Sequence, residues 1–182
     1  MRRRFLLLAM AALAGCAAPV HAYRLAPVAG RLRGGNGLRI GVRGIGVPAD
    51  LAQNGLPAPG SPYEANSFGN DIWAAPVAGM LQSVMVQNLA QRLPGDVVLA
   101  QGGAIGAVPD IYVEIDILRL TPDAAGNVSL QAQFATRHAA AQDWHEQNFA
   151  ATLAGGTTPE GIAAAISALW GQAADALAGM VL

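Results

Sequence analysis

The chain has 182 residues, 53% apolar and 13% charged, with a formal charge of −1 and one cysteine. That balance excludes a disordered chain and fits a single domain. Lysine is absent, which argues against nucleic acid or an anionic lipid surface as an electrostatic partner.

The chain opens with Arg2, Arg3 and Arg4, followed by an apolar run from Phe5 to Gly15. This has the charge order and length of a secretory signal and is too short to span a bilayer as a mature helix. Leu13, Ala14, Gly15 and Cys16 look like the bacterial lipobox, in which the cysteine is lipidated and becomes the first mature residue. Cys16 is the sole cysteine, so no internal disulfide can form, and lipidation would remove an exposed thiol. The domains are therefore a signal peptide at 1–15, a lipidated tether at 16–22 and a globular domain at 23–182. An alternative remains open. Val20-His21-Ala22 has the small residues of an ordinary cleavage site, and cutting after Ala22 would release a soluble periplasmic domain. The arginines also fit a loose twin-arginine pattern, which arginine-rich leaders produce by chance. Removing them leaves the acidic side chains in excess, so membrane attachment has to come from the anchor. No later segment is long and apolar enough to cross a bilayer.

The tether is short. Tyr23 lies seven residues beyond Cys16, so the reach is about 25 Å at ~3.3–3.6 Å per residue. His21 falls in this tether and is expected to be unstructured. Tyr23-Arg24-Leu25 reads as a strand, and a Gly/Arg loop follows from Arg31 to Gly37. Leu38, Ile40 and Val42 alternate with Arg39, Gly41 and Arg43, which predicts a strand running toward Val47. Pro48 to Asn70 is proline-rich and irregular, long enough to suggest a functional loop, with a short edge strand near Tyr63 to Ala65.

Asp71 to Leu93 is predicted as the main helix. Trp73, Val77, Leu81, Met85 and Leu89 recur at helical spacing on one apolar face, Asn70 or Asp71 caps the start, and Pro76 is tolerable in the first turn. Val97 to Ala100 is a strand and Gln101 to Val108 a glycine-rich loop. Ile111, Val113, Ile115 and Ile117 alternate with polar residues, as do Val128, Leu130, Ala132 and Phe134, and a turn at Thr121 to Asn127 joins them as a hairpin. Trp144 to Leu153 completes a meander. Thr157 with Glu160, or Thr158 before Pro159, starts a closing helix that runs to about Met180. The predicted fold class is α+β, a mostly antiparallel sheet with two helices packed on one face.

Chemistry is sparse. His138, Asp143 and His145 cluster near one hairpin loop, without a third metal ligand or a placed nucleophile. Glu114 and Asp116 sit two apart on the wet side of a strand. Gly102, Gly103 and Gly106 precede a strand and not a helix, so they lack the geometry of a nucleotide loop. No G-x-S-x-G, H-E-x-x-H or C-x-x-C occurs, and without lysine Schiff-base chemistry is excluded. No cofactor or metal is called for, and the chain reads as a non-enzyme. Trp73 and Trp170 read as core residues, or else as walls of an apolar groove for lipid.

From Tyr23 onward the chain resembles the ABC-type transport auxiliary lipoprotein family, in a PqiC-like form. The resemblance rests on Tyr23-Arg24-Leu25, on Ile72-Trp73-Ala74-Ala75-Pro76, on Leu89 to Leu93, on Asp110 to Leu120 and on Ala165 to Leu169. Trp73 and Pro76 belong to its most specific element and are read as structural. One departure is the proline-rich stretch after Leu51, where family members carry a Tyr-Leu-Asp-Arg-like segment. The resemblance implies a non-enzymatic lipoprotein of a Gram-negative envelope, part of a lipid transport system with an ABC ATPase, a permease and an MCE-type partner. Ala17 after the cysteine points to the periplasmic face of the outer membrane. Two further functions stand beside this one: a periplasmic shuttle or chaperone binding phospholipid, and a hydrolase using His138, Asp143 or His145.

Overall fold

The computed structural model describes residues 18–182. The signal segment and the lipobox residues Leu13, Ala14, Gly15 and Cys16 lie outside the described residues. Strand β1 is His21–Tyr23, β2 Arg39–Val42, β3 Gly55–Pro57 and β4 Ser67–Trp73. Helix α1 is Val77–Arg92, followed by β5 Val97–Ala100, β6 Ile111–Pro122, β7 Asn127–His138, β8 His145–Ala154 and helix α2 Pro159–Met180.

The alternating segments form the expected meander, with β6, β7 and β8 antiparallel in sequence order. The turn between β6 and β7 is held by Asp123, whose Oδ1 accepts from the amides of Ala125 at 2.9 Å and Asn127 at 2.8 Å. Gly126 in that turn has φ +81°, a conformation that favours glycine.

The complete five-stranded order is β5-β2-β6-β7-β8, and β2 runs parallel to both β5 and β6. The sheet is thus mixed and not mostly antiparallel. The cause is the long excursion between β2 and β5, which ends in α1 and returns the chain in its original direction, as parallel neighbours require. A second sheet of three strands has the order β1-β4-β3, with β1 and β4 parallel.

Two local expectations are corrected. Residues 71–76 are not helical. Pro76 disfavours helical backbone at Ala75, so α1 starts only at Val77, and Pro76 occupies the cap position with ψ 124° and no side-chain cap. Asn70, Asp71 and Trp73 therefore belong to β4 and cap nothing. Tyr63 to Ala65 is not a strand either. It is part of a turn, and the strands of that region lie on either side of it. For α2, Thr158 is the cap and its hydroxyl accepts from the Gly161 amide at 3.2 Å.

Both helices pack on one face of the five-stranded sheet. Ile40, Val42, Ile111, Val113 and Phe134 meet Leu81, Met85, Leu89, Ile166 and Leu169, all essentially buried. Trp170 is fully buried and donates from Nε1 to the Leu81 carbonyl at 2.9 Å. Trp73, at the end of β4, is also buried. No helix among the described residues is long and apolar enough to cross a membrane.

Candidate functional site

The first feature that bears on function is the way the N-terminal segment is fastened to the domain. His21, expected to be unstructured, is not free. It opens β1, in register with Asp71, and its Nδ1 lies 3.1 Å from the Asp71 carboxylate. After β1 the chain forms an extended strap across the two helices. A strap outside any sheet must find other partners for its backbone polar groups. Ser167 of α2 accepts from the Ala26 amide at 3.2 Å, and Asn88 of α1 accepts from the Val28 amide at 2.8 Å. The Arg33 amide donates to the Arg92 carbonyl at 2.8 Å.

Arg92 is the hub of this fastening. Its side chain is 1% exposed. Nε donates to Asp175 at 2.8 Å, Nη1 donates to the carbonyls of Val28 and Asn88 at 3.0 Å each, and Nη2 donates to the Gly171 carbonyl at 2.8 Å. One guanidinium thus joins the strap to both helices, as its rigid fork of donors permits. Partial burial pushes the Asp175 carboxyl up, but the hydrogen bonds and charge of Arg92 outweigh it and hold the group below its ordinary range. Gly30 lies directly over the guanidinium, and any side chain there would overlap it.

The second feature is the face of the sheet that carries no helices. Here the polar members of the alternating strands stand side by side. The Arg43 guanidinium lies 5.3 Å from the centre of the Tyr112 ring; that of Arg137 lies 5.4 Å from Tyr112 and 5.0 Å from Trp144. These cations over aromatic faces form a continuous stack across the sheet. Arg43 also pairs with Glu114, while Asp116 lies beside Gly46. A concavity of about 800 Å³ lies beside the stack, lined by Arg43, Glu114, Asp116, Gln133, Glu146 and Asn148. At the edge of the face, Arg39 donates twice to Asp110 and lowers its carboxyl to about 2.

His138, Asp143 and His145 are all exposed around the β7–β8 connection, and among the described residues no hydrogen bond or ion pair joins them. No group of metal-ligating side chains forms among the described residues. Gly102, Gly103 and Gly106 belong to a loop beside β5 and Tyr112. The space between helices and sheet is occupied by core side chains, and concavities lie on the polar face, around residues 50–66 and beside the glycine-rich loop. Among the described residues Trp73 and Trp170 are core side chains. Arg92, Asn88 and Ser167 carry the strap and were not legible as site residues; the one available signal was polarity on otherwise apolar helical faces.

Comparison with known proteins gives a consistent result. The family model described as ABC-type transport auxiliary lipoprotein component matches residues 23–178. No curated protein matches the chain. A crystal structure of an uncharacterized protein is similar with a TM-score of 0.77 and 19% identity, covering 91% of this chain and 100% of its own. A crystal structure of a DUF330 protein from Xanthomonas campestris has a TM-score of 0.71 and 17% identity, covering 91% and 95%. At those identities the likeness is one of fold.

Proposed function

The chain belongs to the ABC-type transport auxiliary lipoprotein component family, and from that premise we propose that it is held by a lipid on Cys16 at the periplasmic face of the outer membrane, where it docks an MCE-type component of the transport system. Its task in this proposal is positional and not chemical. The observation that carries the anchored form is the register of β1. Cleavage after Ala22 would remove His21 and Ala22, two of the three β1 residues, and with them the pairing to Asp71 and Ile72. Cleavage before Cys16 leaves the strand whole. The strap supports the same reading, since a tethered protein needs its N-terminal segment fastened to its core. Ala17 supports the outer membrane over the inner.

Two measurements on cells test the proposal. Cys16→Ser should move the protein from the membrane fraction to the soluble periplasm. The wild-type protein should co-purify with an MCE-type protein of the same cell. If no MCE-type protein co-purifies with either the lipidated or the soluble form, the docking function is wrong even where the anchor is right.

A further inference from the structure

With Cys16 anchored as proposed, the direction of β1 points one end of the domain toward the membrane, and an exposed side chain stands at that end. Strands β1 and β4 are parallel, with His21 opposite Asp71 and Tyr23 opposite Trp73. The chain that arrives at His21 therefore comes from the end at which β4 begins, at Ser67. Four residues of strand separate Ser67 from Asp71, about 13 Å at ~3.3 Å each. Cys16 is five residues before His21 and can lie no farther from it than about 18 Å at ~3.6 Å per residue. Most of that reach is matched by the length of β4 itself. A chain that keeps the direction of β1 back to Cys16 runs alongside β4 toward Ser67, which turns the start of β4 and the turn before it toward the bilayer.

That turn presents Tyr63, 95% exposed. It is an ordered presentation. The Glu64 amide donates to the Ser61 carbonyl at 3.1 Å, and the Ala58 amide donates to the Asn66 carbonyl at 3.0 Å across the base. The Glu64 carboxylate accepts from the Asn66 side chain at 3.3 Å. Val20, 63% exposed, leads into β1 from the same side. A tyrosine has an apolar body and a polar tip and is suited to the headgroup level of a bilayer, where one end is dry and the other wet.

We propose that Tyr63 is a second membrane contact beside the lipid anchor, seated at headgroup level and fixing the tilt of the domain on the bilayer. The inference rests on the proposed lipidation of Cys16. The contact is apolar in character and does not select anionic headgroups: Asp50, Glu64 and Asp123 border the same surface, against Arg119 alone.

The test uses the lipidated mature protein in phosphatidylcholine vesicles, with and without phosphatidylglycerol. Acylation occupies Cys16, so Ser61→Cys, in the same turn and with Tyr63 left in place, provides a unique thiol for a nitroxide, and Ile105→Cys, in the exposed loop after β5, is the comparison site. The label at 61 should be several-fold less accessible to an aqueous relaxation agent than the label at 105, and more accessible to dissolved oxygen. Added phosphatidylglycerol should leave both values unchanged. Equal aqueous accessibility at the two sites, in protein that floats with the vesicles, overturns the contact and leaves the anchor standing. Protein that does not float overturns the anchor and the contact with it.

Discussion

At the scale of single residues, Arg92 is the side chain on which the fastening of the N-terminal segment depends. It is buried as a cation yet has a carboxylate and three carbonyls around it, so every donor direction used is answered. Arg92→Met would keep the aliphatic bulk and leave the Val28 and Gly171 carbonyls and Asp175 without their donor. The lost guanidinium bonds, two of them to a carboxylate, set the cost at about 3 kcal/mol. Asp175→Asn should cost less, about 1–2 kcal/mol, because an amide oxygen still accepts from Nε and the carbonyls remain. Urea unfolding of the two variants checks that order, and a larger loss for Asp175→Asn would show that the counter-charge and not the carbonyl set holds Arg92. The segment around Arg92 was legible as a motif, but its role was not. Its partners Val28, Gly171 and Asp175 lie 64, 79 and 83 positions away in the chain, and helical periodicity carries no information at that range.

At the scale of elements, the sequence was clearest where alternation and capping chemistry agree. The β6–β7–β8 meander follows from strict alternation, since a slip of one residue would turn the whole apolar set outward. Both start signals for α2 lay at its first turn, and Thr158 is the residue that serves. Thr158→Ala should therefore destabilise the protein by about 1 kcal/mol, while Thr158→Ser should be nearly neutral and Thr157→Ala should have little effect. Thermal unfolding of the three variants separates the two caps. The start of α1 was misread because Trp73 falls in phase with Val77 and Leu81 by chance. Pro76 is not a first-turn residue: it keeps Ala75 out of the helical region, so no helix begins before Val77. The parallel pairing of β2 was hidden for a related reason. Pairing direction depends on the route of the chain over the fold, and the alternation of β2 is the same in either direction.

At the scale of the whole molecule, the parts form one line of attachment from β1 through the strap to the two helices, which cover the sheet. β1 is the first link of that line, and its contribution can be isolated. A soluble form beginning at Pro19 retains β1, whereas one beginning at Tyr23 keeps only its last residue. The shorter form loses the pairing of His21 and Ala22 with β4, although the Ala74 amide can still donate to the Tyr23 carbonyl at 2.7 Å. Two or so exposed ladder hydrogen bonds are worth about 1–2 kcal/mol together. The shorter form should unfold at lower urea concentration by that amount, and amide exchange should quicken in β4 well before it does in β6 or β7. The local effect matters because β4 becomes an exposed edge on that side while the helices, fastened by Arg92, stay in place. Uniformly faster exchange throughout the domain would mean that β1 stabilises the fold globally. Identical stability in the two forms would mean that β1 is dispensable, and it would remove the structural argument for processing before Cys16 over cleavage after Ala22.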